Sequence, residues 1–152
     1  MIVEPFLTGN YIKFSTNVAV VLQEHHEIQA FTHWSWERTG RREMVCDLQG
    51  VVNLENGIRK YLLTDPAIHT MDGRFSNTGA DLSTLGMAEM IKCHQCNIVC
   101  KILGLADTEK HREKIKKLKL PVTQRTGTCY FASKSAILKT VPTSQILNIF
   151  KN

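Results

Sequence analysis

Phe31 to Gly50, FTHWSWERTGRREMVCDLQG, and its echo Leu63 to His69, LTDPAIH, are the stretches around which the chain is organised. Glu43 to Gly50 reads as one strand, because Met44-Val45-Cys46 is a short apolar run and Gly50 punctuates its end. Alternation along such a strand puts Asp47 and Gln49 on one face and Cys46 and Leu48 on the other. A carboxylate beside an amide offers hard oxygen ligands, suited to magnesium carrying phosphate oxygens. The bland alternative is two solvated polar residues on a strand edge.

Working outward, Ile28 to Thr39 reads as a helix with Ala30, Phe31, Trp34 and Arg38 near one face, and Thr39 to Arg42 as the turn that follows. Before it, Ile2 to Leu7 is an extended apolar start whose Pro5 forbids a central-strand position. Tyr11 to Phe14 and Asn17 to Gln23 fit either strand or helix. On the other side, Asn53, Asn56 and Gly57 signal a turn. Thr64-Asp65-Pro66 is another, with Asp65 held extended by the proline. Taken alone, Asp65 is a turn-forming aspartate. Ser83 or Thr84 could cap a helix over Leu85 to Ile91, in which Gly86 is a weak helix former.

A second constellation is Cys93 to Cys100, CHQCNIVC. Cys96 and Cys100 are four apart and would share a helical face. A helix ending near His94 and another starting near Cys96 would bring these three residues together. Thiolates and imidazole suit tetrahedral zinc, which needs a fourth ligand. His33, between Trp34 and Thr32, is the candidate, against the plain alternative of a core histidine. Cys93, Cys96 and Cys100 also form C-x2-C-x3-C, which could hold zinc or an iron–sulfur cluster, or be three buried structural cysteines.

Composition bounds the function classes. The 152 residues support one domain, and 43% apolar content with no run of eighteen apolar residues excludes a transmembrane helix. The first residues lack a basic region followed by an apolar stretch, so no signal peptide is expected. Five cysteines beside six histidines favour metal ligation in a reducing, cytoplasmic setting over a disulfide framework. Net charge is +5, but residues 1–103 hold nine Lys/Arg against eleven Asp/Glu, and residues 104–152 hold ten against three. The basic character belongs to the tail. Thr108 to Leu120 reads there as a basic helix, capped by Asp107 or Thr108, with a thin stripe of Ile115 and Leu118. Without interleaved aromatics it reads as a solvated helix, and nucleic acid is not expected as a partner. Pro121 to Asn152 carries no pattern, and is expected to be an extension whose Phe131, Ile137 and Ile146 do not pack onto the metal region.

Six blocks in order then carry a resemblance: Val3-Glu4-Pro5-Phe6, F-T-H-W-x-W-E-R-T-G from Phe31, D-L-Q-G-V from Asp47, L-T-D-P-A-I-H from Leu63, Gly86-Met87, and H-x-C-N-x-x-C-x-x-L-G-L from His94. Together they resemble the alpha-type (atypical) protein kinase family over residues 1–105, leaving 106–152 as a basic tail of unassigned structure. The resemblance implies an α+β fold, the carboxy-terminal lobe of an alpha-kinase-like domain with a structural zinc site, its amino-terminal lobe missing. It implies ATP as cofactor, a protein serine or threonine hydroxyl as acceptor, and γ-phosphoryl transfer that relies on positioning and charge neutralisation. Glu4 matches the hinge position that meets adenine, with Thr64 in the nucleotide site. Asp47 matches the catalytic, metal-associated acid, Gln49 its magnesium-holding partner and Asp65 the second essential acid. Lys13 matches a basic position after the hinge. His33, His94, Cys96 and Cys100 match the zinc ligands, which leaves Cys93 outside.

Two departures qualify this. The family's substrate-recognition loop survives only as Thr78-Gly79-Ala80-Asp81-Leu82-Ser83, with Asp81 in place of asparagine and Ser83 in place of glycine. The connection from Asp47 to Asp65 is longer, through VVNLENGIRKY. With the covering lobe absent, the expected activity of this polypeptide by itself is weak or nil. A non-catalytic zinc-stapled interaction module is the competing expectation.

Overall fold

The structure, a computed structural model, describes residues 4–118 and 143–150. Two small antiparallel sheets are set against a group of helices. The first sheet has the order β1-β3-β4, with β1 (Tyr11–Lys13), β3 (Gln49–Glu55) and β4 (Ile58–Thr64). The second pairs β2 (Glu43–Cys46) with β5 (Ala67–Thr70). The helices are α1 (His26–Arg38), α2 (Ser83–Cys93), α3 (Ile98–Ile102), α4 (Glu109–Lys117) and α5 (Thr143–Phe150).

The stretch expected to be one strand is two. β2 ends at Cys46 and β3 begins at Gln49, and the chain changes sheet at Asp47-Leu48. Asp47 takes a left-handed backbone, φ 55°, which aspartate tolerates better than most side chains. Face alternation therefore does not relate Asp47 to Gln49. The corner does. Asn56 and Gly57, φ 52° and 78°, make the two-residue turn joining β3 to β4, the backbone hand that suits twisted hairpins. Gly50 is required inside β3: a Cβ there would lie 2.0 Å from the Leu62 carbonyl oxygen. Tyr11 to Phe14 resolves as strand. Asn17 to Gln23 is neither helix nor strand beyond an isolated bridge between Ser15 and Val21.

α1 buries Ile28, Ala30, Thr32, His33, Ser35 and Trp36; of the expected face Ala30 is buried, while Trp34 stays 37% exposed and stacks on Phe31. The expected apolar face is thus displaced, because α1 contacts β2 on one side and α3 on another. Ser35 ties it to β2, its Oγ accepting the Val45 N–H at 2.9 Å.

The core has two parts. Phe14, Ile28 and Leu48 form one beneath the first sheet. Trp36, Met44, Met87 and Ile91 form the other, joined by Ile115 of α4 and by Ile149 and Phe150 of α5. Burying an aromatic of Trp36's size contributes about 2 to 3 kcal/mol. The helix read over the basic stretch is present, and its Ile115 is fully buried. α5, for which the sequence offered no pattern, packs against α2 and α4. Phe131 and Ile137 lie outside the described residues, as does the side chain of Ile146.

Candidate functional site

Strand register brings the first group together. Lys13 is directly opposite Gln49, and Gln49 is directly opposite Thr64, so the three form one row across the first sheet. Asp47 precedes Gln49 and Asp65 follows Thr64, so the antiparallel register sets both acids off the same edge of this row. Lys13 Nζ is 2.9 Å from Asp47 Oδ1 and donates to Gln49 Oε1 at 3.2 Å. Gln49, only 9% exposed, donates from Nε2 to the Asp65 carbonyl oxygen at 3.1 Å. That bond fixes the amide so that its oxygen faces Lys13 and Asp47. Thr64 Oγ1 donates to a Glu4 carboxylate oxygen. Asp65 is exposed, with φ 46° ahead of Pro66, so both acids occupy left-handed turns.

The second group lies where α1 meets the α2–α3 connection. One donor atom each from His33, His94, Cys96 and Cys100 lie within 4.8 Å of one another, a set that could hold a metal ion. Cys100 Sγ is 3.5 Å from His94 Nε2, and Cys96 Sγ is 3.8 Å from His33 Nδ1. His94 caps the C-terminus of α2. Asn97 caps α3, its Oδ1 accepting the Val99 and Cys100 N–H groups at 2.9 and 3.2 Å. Cys96 therefore precedes α3 and does not share its face with Cys100, as spacing alone had suggested. The two meet because the chain turns at Asn97.

The chemistry of this set fits a zinc-like cation. Burial lowers the pKa of His33; burial, His33 and Arg112 push His94 down to about 4, so both imidazoles are neutral at pH 7. Burial raises the Cys100 thiol, as does neighbouring Cys96, so a thiolate there wants a nearby positive charge. Among the described residues, His33 Nε2 is buried with no hydrogen-bond partner. A metal ion held here would give the thiols and neutral imidazoles the positive partner that burial denies them. A cavity of about 570 Å³ adjoins the group, lined by Phe14, Ile28, Met44, Cys93 and His94 among others, and does not reach Asp47 or Asp65.

Sequence reasoning missed a third, buried group. Asp81 is 1% exposed and accepts from Thr70 N, Thr70 Oγ1, Ser83 N and Phe75 N at 3.0, 2.6, 2.7 and 3.2 Å. Burial alone would raise its pKa, but these bonds bring it below the ordinary aspartate value. Beside it, fully buried His69 accepts the Leu82 N–H on Nδ1 at 3.1 Å, leaving Nε2–H to donate to the Asn17 carbonyl at 2.8 Å. Burial lowers its pKa. This group holds the Asp72–Leu82 loop against β5 and gives α2 its cap; neither Ser83 nor Thr84 caps by side chain.

A profile of the alpha-kinase family matches residues 1–100. Myosin heavy chain kinase A of Dictyostelium discoideum is 37% identical over 103 residues, 68% of this chain and 8% of the relative. Eukaryotic elongation factor 2 kinase of Caenorhabditis elegans is 38% identical over 107 residues, 70% of this chain and 13% of the relative. The crystallised alpha-kinase domain of myosin heavy chain kinase A in complex with AMP-PNP superposes with a TM-score of 0.59 at 36% identity, covering 68% of this chain and 36% of that one. The mixed helix-and-sheet arrangement is thus that of an alpha-kinase domain. The chain belongs to the alpha-kinase family, and it spans about a tenth of the length of the curated relatives it matches. Among the described residues no helix is long and apolar enough to cross a membrane.

Proposed function

We propose that residues 1–105 are the carboxy-terminal lobe of an ATP-dependent protein kinase that transfers the γ-phosphoryl group to a serine or threonine hydroxyl. The observation that carries this reading is the Lys13–Gln49–Thr64 row with Asp47 and Asp65 both set off one edge of it. Asp47 Oδ1 and Gln49 Oε1 already share one cation, the Lys13 ammonium, so their geometry fits the magnesium that family membership implies. When bound, that ion neutralises charge on the transferred phosphate. In this reading Asp47 and Gln49 hold it, and Asp65 orients the acceptor hydroxyl close to the phosphate. Glu4 stands at the adenine hinge, with Thr64 fixing its carboxylate. His33, His94, Cys96 and Cys100 hold a structural zinc that fastens α1 to the α2–α3 connection. Residues 106–152 form an appended tail whose α4 and α5 brace the lobe.

The chain spans 36% of the length of the AMP-PNP-bound domain it resembles. The test is a phosphotransfer assay with labelled ATP and magnesium on serine/threonine peptides, comparing the natural chain with Asp65→Ala. A small signal lost in the variant supports kinase chemistry. Equal background in both assigns the chain instead to a non-catalytic, zinc-stabilised interaction module.

A further inference from the structure

The Lys13 ammonium sits where two oxygens converge. Asp47 Oδ1 is 2.9 Å away and Gln49 Oε1 3.2 Å. Three features fix this arrangement. The β1–β3 register sets Lys13 opposite Gln49. The bond from Gln49 Nε2 to the Asp65 carbonyl prevents the amide from turning its oxygen away. The left-handed turn at Asp47 directs the chain from one sheet to the other at this point. A divalent cation held by the same two oxygens would lie in close contact with the ammonium, and like charges at that distance repel strongly.

Resting on the kinase reading above, we propose that Lys13 is a resident counter-ion that blocks divalent-cation binding until an anionic phosphate draws it away. The cation then enters with the polyphosphate rather than before it. Lys13 acts here as a positioning residue, coupling two ligands through one movable charge.

The experiment is a Mn2+ titration followed by electron paramagnetic resonance, on the zinc-loaded full chain without nucleotide. The natural chain is compared with Lys13→Met, Lys13→Arg, Lys60→Met and the double variant Lys13→Met/Asp47→Asn. Lys60, paired with Glu55 on the exposed hairpin, controls for net charge. Lys13→Met should bind Mn2+ roughly tenfold more tightly, Lys13→Arg and Lys60→Met as the natural chain does, and the double variant should lose the gain. Added inorganic triphosphate should strengthen Mn2+ binding to the natural chain more than to Lys13→Met. Unchanged or weaker binding in a folded Lys13→Met overturns the proposal, as does an equal gain in Lys60→Met. Failure of the kinase reading is separately visible: cation binding would follow this pattern while phosphotransfer stayed independent of Asp65.

Discussion

A Cβ placed on Gly86 would lie 2.5 Å from the imidazole ring of His69. The ring cannot give way, because Leu82 N–H and the Asn17 carbonyl hold its two nitrogens. Helix α2 therefore makes its close approach to His69 of β5 at a position without a side chain. Gly86→Ala gains about 1 kcal/mol of helix propensity but meets an overpacking cost of about 1 to 3 kcal/mol. We expect a net loss of stability, measured by urea denaturation. A stabilised Gly86→Ala would show that the contact is not made.

Asp81 separates two substitutions. Alanine leaves the N–H groups of Thr70, Phe75 and Ser83 without their buried acceptor, an expected loss of about 3 kcal/mol. Asparagine keeps one oxygen for the Thr70 and Ser83 N–H groups, but its Nδ2 faces the Phe75 N–H as a second donor. Asp81→Asn should cost about half as much. The depressed folded pKa of Asp81 also gives a sign: its contribution is full above the unfolded value and lost as pH falls through the folded one. Acid-limb denaturation should thus be shallower in Asp81→Asn than in the natural chain.

Legibility of the site followed from how local each feature is. His33, His94, Cys96 and Cys100 were readable because ligand chemistry restricts residue type, and the structure brings them together. Asp47 and Gln49 were readable as a pair, but on the wrong grounds. A single apolar run cannot reveal that a chain changes sheet at a left-handed aspartate. Asp81 and His69 were opaque because their partners, Thr70 and Asn17, are met only after three segments have packed. Helix α5 was opaque for a related reason. Thr143–Phe150 lies beyond the matched residues, and its Ile149 and Phe150 acquire meaning only from the Trp36 and Ile115 surface they cover. On α1 the expected face holds for Ala30 and fails for Trp34, because a helix with neighbours on two sides has no single apolar stripe.

His33, His94, Cys96 and Cys100, from distant parts of the chain, stand near enough to close around one metal ion and so fasten α1 to the α2–α3 connection. Zinc content of the purified chain, with and without His33→Ala, is the deciding measurement. We expect roughly one tightly held zinc per natural chain, lost in the variant, with chelators unfolding the natural chain. A natural chain that carries no zinc, and whose melting temperature does not change when zinc is added, would contradict that expectation.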